Sequence, residues 1–86
     1  NAYPNPFNHN VVVPISLEQS GDVHFSVYDI RGHLITSGLN RFLDRGKKNI
    51  RWNGTNQDGK SVSAGTYFLR VQNKDLSKTK KIVYLK

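Results

Sequence analysis

Apolar residues in this chain recur at every second position, in short runs, and each run ends in a cluster of Gly, Asn, Asp or Ser. The clearest case sets Val23, Phe25 and Val27 against His24, Ser26 and Tyr28. A repeat of two places alternate side chains on opposite faces of a strand, with one face half-buried. Residues 67, 69 and 71 repeat the pattern against Phe68 and Arg70, and Ile82 and Tyr84 repeat it against Lys81, Val83 and Leu85. Nowhere do apolar residues return at spacings of three and four for the length of a helix. Turn pairs such as Ser20-Gly21, Arg31-Gly32 and Arg45-Gly46 separate the runs. Short alternating runs with regular turns predict an all-β chain, a small immunoglobulin-like antiparallel β-sandwich of about seven short strands. Pro14 interrupts the first run and has no N–H for a ladder, so that strand belongs at an edge or a bulge.

At 86 residues the chain is one domain with a thin core. Little is left over for a catalytic cleft and its supporting shell. There is no cysteine, which removes disulfides, thiol nucleophiles and thiolate metal sites. No apolar run approaches the ~18 residues of a membrane helix. The chain starts at Asn1 and contains no methionine, so it is expected to be a piece of a longer polypeptide.

The net charge is +7, and eleven of the thirteen basic residues fall within residues 44–86. Lys78, Lys80, Lys81 and Lys86 make the end the most basic part. Such an asymmetry fits an anionic partner, or charged edge strands that resist edge-to-edge aggregation.

One motif needs weighing. Gly54 to Ser61 spells G-x-x-x-x-G-K-S, the phosphate-loop pattern. That loop works because a helix leaves it and aims its N-terminus at the phosphates. Here Gly65-Thr66-Tyr67-Phe68 follows, which is a strand signal, so the match reads as a coincidence of turn residues. A calcium loop fares little better. Its first and twelfth positions would be Gly54 and Gly65, neither of them a carboxylate. A weak cation site on Asn53, Asn56 and Asp58 stays open beside the turn chemistry of Asn53-Gly54 and Asp58-Gly59. Asn53-Gly54-Thr55 also matches the glycosylation acceptor pattern. The three histidines lie far apart, and no serine or carboxylate pair suggests catalysis. Arg70, Lys80 and Lys81 with Phe68 and Tyr84 imitate a single-strand nucleic-acid platform, but a thin core needs those aromatics. The residues therefore indicate a protein that is not an enzyme, takes no cofactor and binds no nucleic acid.

Residues 1–10 form a proline-containing lead-in or linker, stiffened at Pro4 and Pro6, and residues 11–86 form the sandwich. Tyr3-Pro4-Asn5-Pro6-Phe7-Asn8 opens the chain, then come residues 27–32 (VYDIRG), 52–59 (WNGTNQDG), 62–70 (VSAGTYFLR) and 80–86 (KKIVYLK). In that order these five motifs resemble the C-terminal sorting domains of the bacterial type IX secretion system. They are also similar to the immunoglobulin-like domain of the flagellar hook-capping protein. The resemblance covers essentially the whole chain. It departs at His9-Asn10, where the family often has a hydroxyl residue, and at Pro14.

The resemblance implies a non-catalytic sorting signal on an upstream cargo, sent by way of the periplasm to the outer surface or the medium. Its implied partners are the outer-membrane secretion machinery, a sortase-like peptidase and an anionic lipopolysaccharide. It implies a junction at Tyr3, Pro4, Asn5, Pro6 and Phe7. It implies recognition through Gly65 and Tyr67 and through the lysines of the last strand, Lys78, Lys80, Lys81 and Lys86. The alternative is an immunoglobulin-like structural or interaction module beside an upstream enzyme or adhesin.

Overall fold

The computed structural model describes residues 2, 3, 6, 8–74 and 77–85, leaving aside the side chains of 38–40. Among these residues there is no helix, and six strands run in order: β1 (Val11–Leu17), β2 (Gly21–Asp29), β3 (Leu34–Leu43), β4 (Gly46–Trp52), β5 (Gly65–Gln72) and β6 (Ser77–Tyr84). They form two antiparallel sheets, one ordered β3-β2-β5-β6 and one of β1 and β4 alone. A bridge from Tyr3 to Val12 adds a short further segment to the smaller sheet. This is the all-β sandwich that the period-two pattern predicts.

The inward residues follow the alternation. Val11, Val13, Ile15 and Leu17 of β1 face Val23, Phe25 and Val27 of β2 and Leu69 and Val71 of β5, all of them buried. Ile50 and Trp52 of β4 and Ile82 and Tyr84 of β6 complete the same cluster. Fully burying a Val, Leu or Ile side chain is worth about 1.5–3 kcal/mol, so this single cluster supplies the main drive for folding.

Pro14 sits at its predicted edge without a bulge, opposite Asn49. Val12 exchanges its N–H and C=O with Tyr3, at 2.8 Å each, so that side of β1 faces away from β4. Pro14, two residues on, points its backbone the same way. Its missing N–H falls on the outer edge, where no ladder needs it. The two outer strands of the larger sheet differ. Strand β3 shifts register twice against β2, whereas β6 runs against β5 without a shift.

Candidate functional site

Three aromatic rings organise one end of the sandwich. Trp52 meets Tyr67 edge-on at 5.3 Å between centroids, and Tyr84 at 6.3 Å. Each ring carries its polar group outward to hold the connection between β4 and β5. The Trp52 indole N–H donates to the Thr55 carbonyl (2.9 Å), and the Tyr67 hydroxyl donates to the Ser63 carbonyl (2.6 Å). The Tyr84 hydroxyl shares a hydrogen bond with Ser61 Oγ (3.1 Å). Burial, with Asp29 and Tyr84 nearby, pushes the Tyr67 phenol above its ordinary range. Gly54 lies beneath Tyr84 with φ +76, and a Cβ built there would sit 2.7 Å from Tyr84 Cζ. Both the left-handed backbone and the ring exclude any larger residue.

The phosphate-loop look-alike folds as a miniature hairpin on this clasp, bridged from Thr55 to Ser61. Asn56 Oδ1 accepts the N–H groups of Asp58 and Lys60, and the Asn56 carbonyl accepts that of Gly59. Asn56 donates to Lys60, and Val62 donates to Gly54. The amides of Asn56, Asp58, Gly59 and Lys60 are thus spent within the loop rather than turned toward an anion. Asn53 Oδ1 accepts from Thr55 Oγ1 at 2.6 Å. No group of three His, Asp or Glu suited to a metal occurs among the described residues.

At the loop tip, the Gln57 side-chain amide lies along the backbone of Ser37 on β3. Its Oε1 accepts the Ser37 N–H at 3.0 Å, and its Nε2 approaches the Ser37 carbonyl at 3.5 Å. A side chain thereby supplies one rung at the edge of the larger sheet. The β2–β3 turn is held in a similar way. Asp29 Oδ1 accepts the N–H groups of Arg31 and His33 at 2.9 Å each, and Oδ2 lies 3.5 Å from His33 Nδ1. The His33 amide is the main cause holding the Asp29 carboxyl below its ordinary 3.8.

The structure separates the candidate recognition residues. On β6, Lys78 and Lys80 take inward-facing positions opposite Val71 and Leu69, whereas Lys81 lies outward, opposite Phe68. Lys86 is outside the described residues. Lys78 reaches across to β1, with its ammonium 3.4 Å from the Pro14 carbonyl. Tyr67 is buried in the aromatic cluster, so its side chain acts through the fold. Gly65 opens β5 at φ +155, opposite Tyr84. Phe68, Arg70 and Lys81 share the outer face of the larger sheet, while Tyr84 and Lys80 lie on the other, so these five do not make one platform. Of the candidate junction residues, Tyr3 is about half exposed and Pro6 is exposed, and the neighbouring Ala2 packs against the core. Pro4, Asn5 and Phe7 lie outside the described residues.

Sequence reasoning missed three juxtapositions: Gly54 under Tyr84, Gln57 on β3, and Lys78 at Pro14 of β1. Only the first left a trace, an Asn-Gly pair directly after a buried tryptophan. The other two join residues from separate strands and loops, which no local pattern reports.

The comparisons with known proteins agree with this geometry. The family model for the secretion system C-terminal sorting domain matches residues 1–85. The chain belongs to that family. It is a type IX secretion sorting domain, of the kind that marks proteins for export to the cell surface or medium. No curated protein matches it significantly.

Among solved structures, dimeric latent PorU from Porphyromonas gingivalis is similar at 23% identity and TM-score 0.77, over 99% of this chain and 9% of that one. FlgD from P. aeruginosa is similar at 23% identity and TM-score 0.69, over 86% of this chain and 57% of that one. PorZ, an essential surface component of the type IX secretion system of P. gingivalis, is similar at 20% identity and TM-score 0.66, over 100% and 11%. These likenesses show the shared fold, and the FlgD match bears out the relation to the hook-capping domain. The chain spans about a tenth of the PorU and PorZ chains and 57% of the FlgD chain.

Proposed function

We propose that the domain is a non-catalytic export signal that the outer-membrane secretion machinery reads along β6. Lys78, Lys80, Lys81 and Lys86 provide the contact. The observation that carries this reading is the position of β6. It is the outer strand of the larger sheet and keeps one register against β5 throughout. A long regular outer strand suits recognition by strand addition, and its lysines favour an anionic partner surface. Gly65 and Tyr67 contribute by holding β6, since they pair with Tyr84 and Ile82. The lead-in at Tyr3, Pro4, Asn5, Pro6 and Phe7 is the junction with the cargo, where a sortase-like peptidase cuts and an anionic lipopolysaccharide is joined to the released cargo.

The test fuses residues 1–86 to an exported fluorescent protein in a host with the secretion system. The fusion is expected at the cell surface or in the medium. Retention in the periplasm, while a known sorting tail exports the same reporter, defeats the reading. A triple Lys78→Gln, Lys80→Gln, Lys81→Gln variant that folds normally should export poorly. Unchanged export would move recognition away from these lysines.

A further inference from the structure

The larger sheet carries a concavity on its outer face, turned away from the core. Strand register builds its floor. Tyr28 of β2 stands opposite Phe68 of β5, and Arg70, two residues along the same face, stands opposite Thr79 of β6. The β2–β3 turn raises one wall, so Ile30 and Arg31 border the same groove, of about 470 Å³. The two floor rings are only partly buried, and apolar surface runs on beyond them. Ile30 is 72% exposed, and Leu34, opposite Tyr28 on β3, is 54% exposed. The wall is firmly held. Asp29 donates its N–H to the His33 carbonyl and its own carbonyl accepts from Gly32, at 3.0 Å each, while its carboxylate takes the amides of Arg31 and His33. That carboxylate is the one acidic group lining the groove, and the turn uses it. Among the described residues neither Arg31 nor Arg70 forms an ion pair, the one pair there being His33 with Asp29.

We infer that this face docks an acidic peptide segment of a partner protein, one that sets carboxylates beside an aromatic or aliphatic side chain. Aromatic residues and arginine are the side chains that concentrate in protein-binding patches, and exposed apolar surface rimmed by charge marks such a patch. The groove's cations are arginines, whose planar fork matches a carboxylate with two parallel hydrogen bonds. Lys81, opposite Phe68, adds positive charge on the β6 side. Charge also decides against a second copy of this chain. Each copy carries +7, and packing face to face would set Arg31 and Arg70 of both copies against one another. A bilayer fits less well, because the two rings line the floor of a concavity and do not project from it. This surface is the sheet's face and not the β6 edge, and binding there by the isolated domain does not depend on export.

The experiment titrates the folded 86-residue domain with the blocked peptide Gly-Glu-Phe-Asp-Gly and its neutral counterpart Gly-Gln-Phe-Asn-Gly, following backbone amides by NMR. The acidic peptide should shift the amides of Tyr28, Ile30, Arg31, Phe68 and Arg70 saturably, with a dissociation constant on the order of 1 mM. The neutral peptide should bind at least about tenfold more weakly. Arg70→Gln should weaken binding of the acidic peptide about tenfold, the loss of one charge-assisted contact. Arg31→Gln, at an exposed turn position, should do the same and serves as the second variant. Lys47→Gln on the smaller sheet and Lys60→Gln in the β4–β5 connection, equal in charge change but remote, should alter affinity less than about twofold, as expected for screened charges. Equal binding of the two peptides, equal loss from the remote variants, shifts centred away from this face, or no saturation would each overturn the proposal. So would phosphatidylglycerol vesicles that shift these amides where the peptide does not, or shifts of the same amides with protein concentration alone, which would assign the face to a second copy.

Discussion

One strand presents two different molecules on the same face. At the upper end of β6, Ile82 and Tyr84 point inward and are buried, at 0% and 6% exposure. At the lower end, Lys80 and Lys78 take the equivalent inward positions and remain half-buried. Their neighbours on β5, Leu69 and Val71, are fully buried along the whole length. The core therefore continues on one strand and stops partway along the next. A lysine at an inward position keeps its apolar stem over the core and carries its charge out past the sheet edge. The upper half stabilises the fold. The lower half closes the gap to β1 at Pro14 and leaves positive charge at the sheet edge.

The sharpest way to break this comparison is to put the lower half's chemistry in the upper half. Ile82→Lys buries a charge with no partner and should cost about 4 kcal/mol or more. Against a total of roughly 5–10 kcal/mol for a domain of this size, thermal melting by circular dichroism should show the largest fall in melting temperature of the variants named here. Gly54→Ala comes next, since it drives a methyl into the Tyr84 ring at a left-handed backbone position. It should cost about 2–4 kcal/mol, read as a fall in melting temperature. Tyr84→Phe removes only the hydroxyl shared with Ser61 and should cost about 1 kcal/mol, measured by urea unfolding.

A pH titration separates the two ends more gently. Asp29 lies at the aromatic end, opposite Tyr67. Its folded pKa is lowered below 3.8, so its contribution to the turn is complete above that value. The contribution is lost as pH falls through the lowered value. The amides of Arg31 and His33 should move in that acid window, and that of Lys78 should not. The smallest effect belongs to the lower half. Lys80→Gln should change stability by no more than about 0.5 kcal/mol, again by urea unfolding. A loss several times larger would mean that the lower lysines carry the fold, and the contrast along β6 would collapse.

Much of the architecture was legible in advance because strand alternation is local. The spacing of Val23, Phe25 and Val27, or of Tyr67, Leu69 and Val71, states which residues share a face before any partner strand is known. The rejection of a phosphate loop at Gly54–Ser61 was also local, since Gly65-Thr66-Tyr67 announces a strand where a helix would be needed. The site was less legible. The lysines of residues 78–86 read as one basic cluster along the chain, yet alternation divides Lys78 and Lys80 from Lys81.

The sequence alone determined the all-β class, the two faces of β2, β5 and β6, the inward placement of Ile50 and Trp52 and the order of motifs that defines the family. All of these follow from periods and turn chemistry that neighbours in the chain impose on one another. Tertiary structure alone decided that Tyr84 closes over Gly54, that Gln57 completes an edge of β3, and that Lys78 of one sheet reaches Pro14 of the other. Those contacts depend on how strands register and how sheets stack, and neither distance is encoded in the spacing of residues along the chain.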